Sequence, residues 1–124
     1  MKLLIIDDSV FSQRMVASLI KKHLENAELY FAKDGYEGFQ QYKNIKPDYT
    51  FVDLLMPTIS GGELIALIKE YDSNAKIIVV SADVQKSVKD EISDYGIVAF
   101  LNKPFNDERA KYICDMMRDD SNAR

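Results

Sequence analysis

The sequence predicts an α/β protein built on a parallel sheet with helices on both faces. Three observations carry that expectation. Short apolar, β-prone runs alternate five times with longer stretches of helical periodicity. The connections between them are short, as strand–helix–strand units require. The strongest runs, such as Leu3-Leu4-Ile5-Ile6, are continuously apolar, the pattern of strands buried on both faces.

Length and composition set outer bounds. A chain of 124 residues, 47% hydrophobic and 29% charged, suits one domain with one core, residues 1–124. No apolar run approaches the roughly 20 residues of a membrane-spanning helix, so no membrane insertion is expected. Met1-Lys2-Leu3 leads into a run too short for a secretory leader. The single cysteine, Cys114, cannot form an internal disulfide, which points to a reducing, cytoplasmic setting. A net charge of −4 speaks against direct nucleic-acid binding.

In chain order, the Leu3–Ile6 strand stops at Asp7-Asp8. Ser9 then caps a helix from Val10 to about Leu24, with Phe11, Met15, Leu19 and Val16, Ile20, Leu24 forming one apolar stripe. The stretch 28–32 is more polar and reads as a strand nearer a sheet edge. Asp34 and Glu37 have capping-box spacing and open a helix to about Asn44. Tyr49-Thr50-Phe51-Val52 is a buried strand ending abruptly in Asp53, with Met56-Pro57 turning the chain. Ser60 and Glu63 repeat the capping box ahead of a helix over 61–71. Lys76–Val80 is the most β-branched run and ends at Ser81. Val84, Val88, Ile92 and Tyr95 mark a narrow-striped helix stopped by Gly96 in a left-handed cap. Ile97–Leu101 is the fifth strand, followed by Asn102-Lys103-Pro104. Asn106 caps a last helix whose polar tail, 119–124, is expected to fray.

Four of the five strands therefore end in reactive groups: Asp7-Asp8, Asp53, Ser81 and Lys103. A parallel sheet brings its strands' carboxyl ends to one edge, where such folds hold their ligands. Gathered carboxylates repel and raise one another's pKa unless a cation offsets them. Oxygen donors of this kind suit Mg²⁺, which keeps waters for a phosphate oxygen. A lysine and a hydroxyl nearby suit the remaining oxygens of a tetrahedral anion, and Asp53 is placed to act as a nucleophile.

Asp7-Asp8, Asp53-Leu54-Leu55-Met56-Pro57 with Gly61 beyond, Ser81-Ala82, and Phe100-Leu101-Asn102-Lys103-Pro104-Phe105 stand in an order and spacing that resembles a stand-alone (CheY-like) response-regulator receiver domain of bacterial two-component systems. The resemblance implies a flavodoxin-like doubly wound sheet of five parallel strands in the order 2-1-3-4-5 with five helices. It implies phosphoryl transfer to Asp53 from a phosphohistidine of a sensor histidine kinase or a histidine phosphotransfer protein. Asp8, Asp53 and the backbone carbonyl of Leu55 are expected to ligate Mg²⁺, with Asp7 acting through a water. Lys103 pairs with Asp53 and then with a phosphoryl oxygen, and its bond to Pro104 is cis. Ser81 and Phe100 form the switch. A downstream protein target meets a face of Lys86, Lys89, Asp90, Phe100, Lys111 and Tyr112. The oligomeric expectation is a monomer, with at most a weak phosphorylation-dependent dimer. Leu55 and the acidic Asp83 flank the path of a hydrolytic water, and Phe100 lacks the hydroxyl of the tyrosine used by the flagellar-motor binder.

Other readings fit less well. A scaffold that is never phosphorylated leaves the acidic cluster and Lys103 without a purpose. A phosphohydrolase needs a second acid two residues after its nucleophile, where Leu55 stands. A flavin site calls for a Gly/Ser/Thr-rich loop where Asp7-Asp8 would repel the phosphate. His23 reads as a cation at a helix end, and Cys114 as a small packing residue.

Overall fold

The chain enters its sheet in the middle. Strand β1 (Lys2–Ile6) pairs on one side with β2 (Glu28–Ala32) and on the other with β3 (Tyr49–Val52). Beyond β3 come β4 (Ile77–Ser81) and β5 (Ala99–Asn102), so the order is β2-β1-β3-β4-β5 with every pair parallel. Five helices join and follow the strands: α1 (Val10–His23), α2 (Gly35–Ile45), α3 (Gly61–Tyr71), α4 (Lys86–Ser93) and α5 (Asp107–Asn122). This is the doubly wound, flavodoxin-like architecture. The computed structural model describes residues 1–82 and 86–122, the side chains at 86, 87, 121 and 122 excepted.

The two-residue period of a strand sorts the core into two layers. Leu3, Ile5, Phe51, Ile78 and Val80 project to one face and pack with Val16 and Ile20 of α1 and Ala110, Ile113, Cys114 and Met117 of α5. Leu4, Ile6, Val52, Ile77 and Val79 project to the other, against Tyr42 of α2, Leu64, Ile65 and Ile68 of α3, and Ile92 of α4. Central strands are therefore apolar on both faces, with Thr50 of β3 and Ser81 at the end of β4 the buried polar exceptions among the described residues. The edge strand β2 is not, and only Ala32 in it is buried.

Caps behave as their spacing predicts. The Ser9, Asp34 and Ser60 side chains accept the N–H groups of Ser12, Glu37 and Glu63, and Asn106 accepts that of Arg109. Gly96 holds φ +71°, and Lys103-Pro104 is cis. Three expectations are corrected. Phe11 is not on the buried stripe but 72% exposed, at the lining of an open cavity with Met15 and Pro104. Among the described side chains of α4 only Ile92 is buried; the helix stops at Ser93 and leaves Tyr95 exposed, while Val84 and Asp83 lie outside the described residues. The polar tail does not fray at 119: α5 continues to Asn122, and the Asp120 carboxylate accepts from the Tyr49 hydroxyl and the Lys76 ammonium. None of the described helices is long and apolar enough to cross a membrane.

Cys114 is fully buried between α5 and the sheet, and burial pushes its thiol up to about 11. The reactive species is the thiolate. Iodoacetamide at mildly alkaline pH is therefore expected to leave the native chain unmodified and to add one carbamidomethyl group in urea, read by intact mass. Labelling of the native chain at the denatured rate would contradict this packing.

Candidate functional site

The site grows from the point where the strand order reverses, between β1 and β3. Register places Ile6 beside Val52, and the Asp53 N–H donates to the Ile6 carbonyl (3.1 Å). The next residue on each strand, Asp7 and Asp53, is thus delivered to the same place. Both are buried, whereas Asp8 faces solvent. Oxygens of Asp7, Asp8 and Asp53 lie within 4.8 Å of one another.

Asp53 is held by donors on both oxygens. Its Oδ1 accepts the Leu55 N–H (3.0 Å) and the Ser81 hydroxyl (3.2 Å), and its Oδ2 accepts from Lys103 Nζ (3.1 Å). Asp7 Oδ1 accepts the Ser9 N–H (2.9 Å) and its Oδ2 the Lys103 ammonium (2.9 Å). The lysine arrives from the far strand because the Lys103 N–H bonds the Ser81 carbonyl (2.8 Å), which seats the β5–α5 turn on β4.

Charge balance follows from this geometry. Burial raises the Asp7 pKa, and the nearby Asp53 charge adds to it, while the Ser9 N–H and Lys103 oppose the rise. Burial works against the Lys103 ammonium, but the hydrogen bonds and charges of Asp7 and Asp53 outweigh it and hold its pKa above the ordinary lysine value. Three carboxylates against one ammonium leave the cluster short of positive charge. Its donors are hard oxygens, part of them open to solvent, a set that suits Mg²⁺ better than a soft transition metal.

Ser81 and Phe100 share a sheet face. Phe100 pairs with Val79, and Ser81 lies two residues beyond Val79 on β4. The half-buried Phe100 ring packs on the α3–α4 side of the core, with Lys89 Nζ 5.1 Å from its centroid. Lys89, Asp90, Lys111 and Tyr112 are all exposed, and Lys111 is ion-paired with Asp115 (2.9 Å). The Lys86 side chain lies outside the described atoms. Leu55 is 58% exposed, its amide committed to Asp53. His23, in the last turn of α1, meets Asp107 (2.8 Å) and stays out of the acidic cluster.

Two residues of the site are missed by the sequence reading. Gln13 is buried, and its Nε2 donates to the Asp7 carbonyl (2.8 Å) and the Ala32 carbonyl (3.1 Å), tying α1 to the ends of β1 and β2. A glutamine near the apolar stripe of a core-facing helix is the signal that could have exposed it. Ser12, one residue earlier, accepts from Lys103 Nζ (3.3 Å).

A doubly wound sheet with this carboxylate–lysine–hydroxyl edge has the form of a two-component signalling receiver. The chain belongs to the response regulator receiver domain family, whose model matches residues 3–114. It is 36% identical over 108 residues to the chemotaxis protein CheY of Thermotoga maritima, covering 87% of this chain and 89% of that one. Against the CheY of Listeria monocytogenes the figures are 33% over 109 residues, 88% and 91%. Among solved structures, a chain of the CheX–CheY–BeF3–Mg complex of Borrelia burgdorferi superposes with a TM-score of 0.83 at 30% identity, covering 94% of this chain and 87% of that one.

Proposed function

We propose that this receiver takes up a phosphoryl group on Asp53 in a Mg²⁺-dependent reaction and passes the change to the Ser81–Phe100 region to control a protein partner, in chemotaxis-type signalling or a phosphorelay. The observation that supports it most is the division of labour at Asp53: Ser81 and Lys103 hold opposite oxygens of one buried carboxylate. Asp8, Asp53 and the Leu55 carbonyl would hold Mg²⁺, with Asp7 acting through a water, and the ion would neutralise charge on the transferring phosphoryl group.

An Asp53 oxygen attacks phosphorus as the P–N bond of the donor's phosphohistidine breaks. The bonding pair returns to the imidazole nitrogen, which takes up a proton. Lys103 gives up its Asp53 contact for a phosphoryl oxygen, and Ser81 turns its hydroxyl to another. Phe100, on the same face, follows into the space that Ser81 leaves, and the face of Lys86, Lys89, Asp90, Phe100, Lys111 and Tyr112 changes with it. The donor is a sensor kinase or a histidine phosphotransfer protein. The only chemistry the chain catalyses is its own phosphorylation and dephosphorylation.

The test is intact mass after incubation with a small acyl phosphate and Mg²⁺. One phosphoryl group per chain is expected, and none with Asp53→Asn or in chelator. A chain that stays unmodified would favour a binding scaffold, and many phosphates released per chain a hydrolase.

A further inference from the structure

An ammonium group has three donors and no acceptor. At Lys103 each donor has an oxygen: Asp7 Oδ2 at 2.9 Å, Asp53 Oδ2 at 3.1 Å and Ser12 Oγ at 3.3 Å. Two of these acceptors belong to the acidic cluster. The third sits on the first turn of α1 and is itself fixed, since the Ser12 N–H is bound by the capping hydroxyl of Ser9 (3.2 Å). Ser12 is half-buried and reaches the lysine across 91 residues of chain.

We infer that Ser12 is a positioning residue for Lys103: with Asp7 it fixes two of the ammonium's donors, so that the third stays directed at Asp53 and then at the phosphoryl group on it. The inference rests on the phosphoacceptor reading for its purpose, though not for its geometry. A lysine stem has four rotatable carbons. One anchor, Asp7, would leave the ammonium free to swing about that contact. Two anchors from different elements, the β1 end and α1, define an axis and leave a single direction for the remaining proton. When the phosphoryl group arrives, only the Asp53 contact has to change. Preorganisation of this kind lowers a barrier because the donor needs no reorientation as charge develops.

The helix itself gives no other reason for serine at this place. Alanine has the higher helix propensity, so a role confined to α1 predicts that Ser12→Ala is neutral or stabilising and leaves Lys103 unaffected. The test uses the whole chain with ¹⁵N-labelled lysine. The Lys103 ammonium, assigned by its loss in Lys103→Arg, is expected to give a slowly exchanging ¹H–¹⁵N signal. That signal should disappear through exchange in Ser12→Ala and return in Ser12→Thr, which keeps the hydroxyl. With a small acyl phosphate and Mg²⁺, Ser12→Ala should be modified about tenfold more slowly, the scale of one hydrogen bond to a charged group, and Ser12→Thr at close to the wild-type rate. No ammonium signal in the wild type, an unchanged signal or rate in Ser12→Ala, or a Ser12→Thr variant that behaves like Ser12→Ala would each overturn the inference. A wild-type chain that is not phosphorylated at all would instead remove the phosphoacceptor reading, and the ammonium signals would still decide whether Ser12 holds Lys103.

Discussion

Lys103→Met is expected to unfold at lower urea than the wild type, with a loss of about 3 kcal/mol at neutral pH in chelator. Methionine keeps most of the lysine's apolar stem and removes only the ammonium. That ammonium bridges Asp7 and Asp53, whose side chains are each 6% exposed, and the Lys103 side chain is 21% exposed. Removing one member of a buried pair costs about 3–5 kcal/mol, and the lysine's partial exposure places this case at the lower end. Left without that ammonium, Asp7 loses a partner that opposes the effect of its burial, and its folded pKa rises further above the unfolded value. The folded state then binds more protons than the unfolded state across that window, so stability rises as pH falls through it. The variant's deficit should therefore shrink in mildly acidic buffer, and Mg²⁺ at neutral pH should recover part of it. The wild type already has this sign at Asp7, where burial keeps the folded-state pKa above the ordinary carboxylate value. A deficit that is equal at both pH values would mean that the lysine acts through packing alone.

The parts of the fold visible in the sequence are those whose cause is local. A strand buried on both faces reads as a nearly continuous apolar run, and Leu3–Ile6 and Ile77–Val80 do. Caps are local too, and the side chains at 9, 34, 60 and 106 do what their spacing implies. Strand order is not local; composition implies a parallel sheet, while the order itself came with the resemblance carried by the strand-end motifs. The errors share one origin. Phe11 fits the stripe of α1 by angle, yet it is exposed, because the helical period does not say how far along its length the helix is covered. The end of α5 looks like a solvated tail because its acceptors' donors, Tyr49 and Lys76, come from elsewhere in the chain. The same applies within the site. Asp7, Asp53, Ser81 and Lys103 announce themselves by ending strands, whereas Ser12 and Gln13 are single polar residues on a helix. Their meaning appears only when the β5–α5 turn and the end of β2 are placed beside them.

Two adjacent glycines at the start of α3 should respond to alanine with opposite signs. A Cβ on Gly61 would stand 2.5 Å from the Asp53 carbonyl oxygen and 2.5 Å from the Leu54 Cα. Both obstacles are backbone, in the loop that presents the acidic site, and the Gly61 N–H already bonds the Leu54 carbonyl (3.1 Å). No flexible side chain is there to yield, so the loop itself must shift. Overpacking of this kind costs about 1–3 kcal/mol, and the rigid obstacles put Gly61→Ala near the top of that range even after a gain in helix propensity. One residue on, a Cβ on Gly62 meets Ile92 Cγ2 at 3.7 Å and Ser60 Oγ at 3.9 Å, ordinary contacts. Propensity then decides, and Gly62→Ala should stabilise by about 0.5–1 kcal/mol. Urea midpoints measure both effects. Acyl-phosphate labelling adds the functional half: Gly61→Ala should slow modification of Asp53 by moving its carbonyl and side chain together, while Gly62→Ala keeps the wild-type rate. Two alanines of the same sign, or a Gly61→Ala chain as stable as the wild type, would show that α3 does not clamp the Asp53 loop. The close approach at position 61 would then be a consequence of the fold and not a condition for the site.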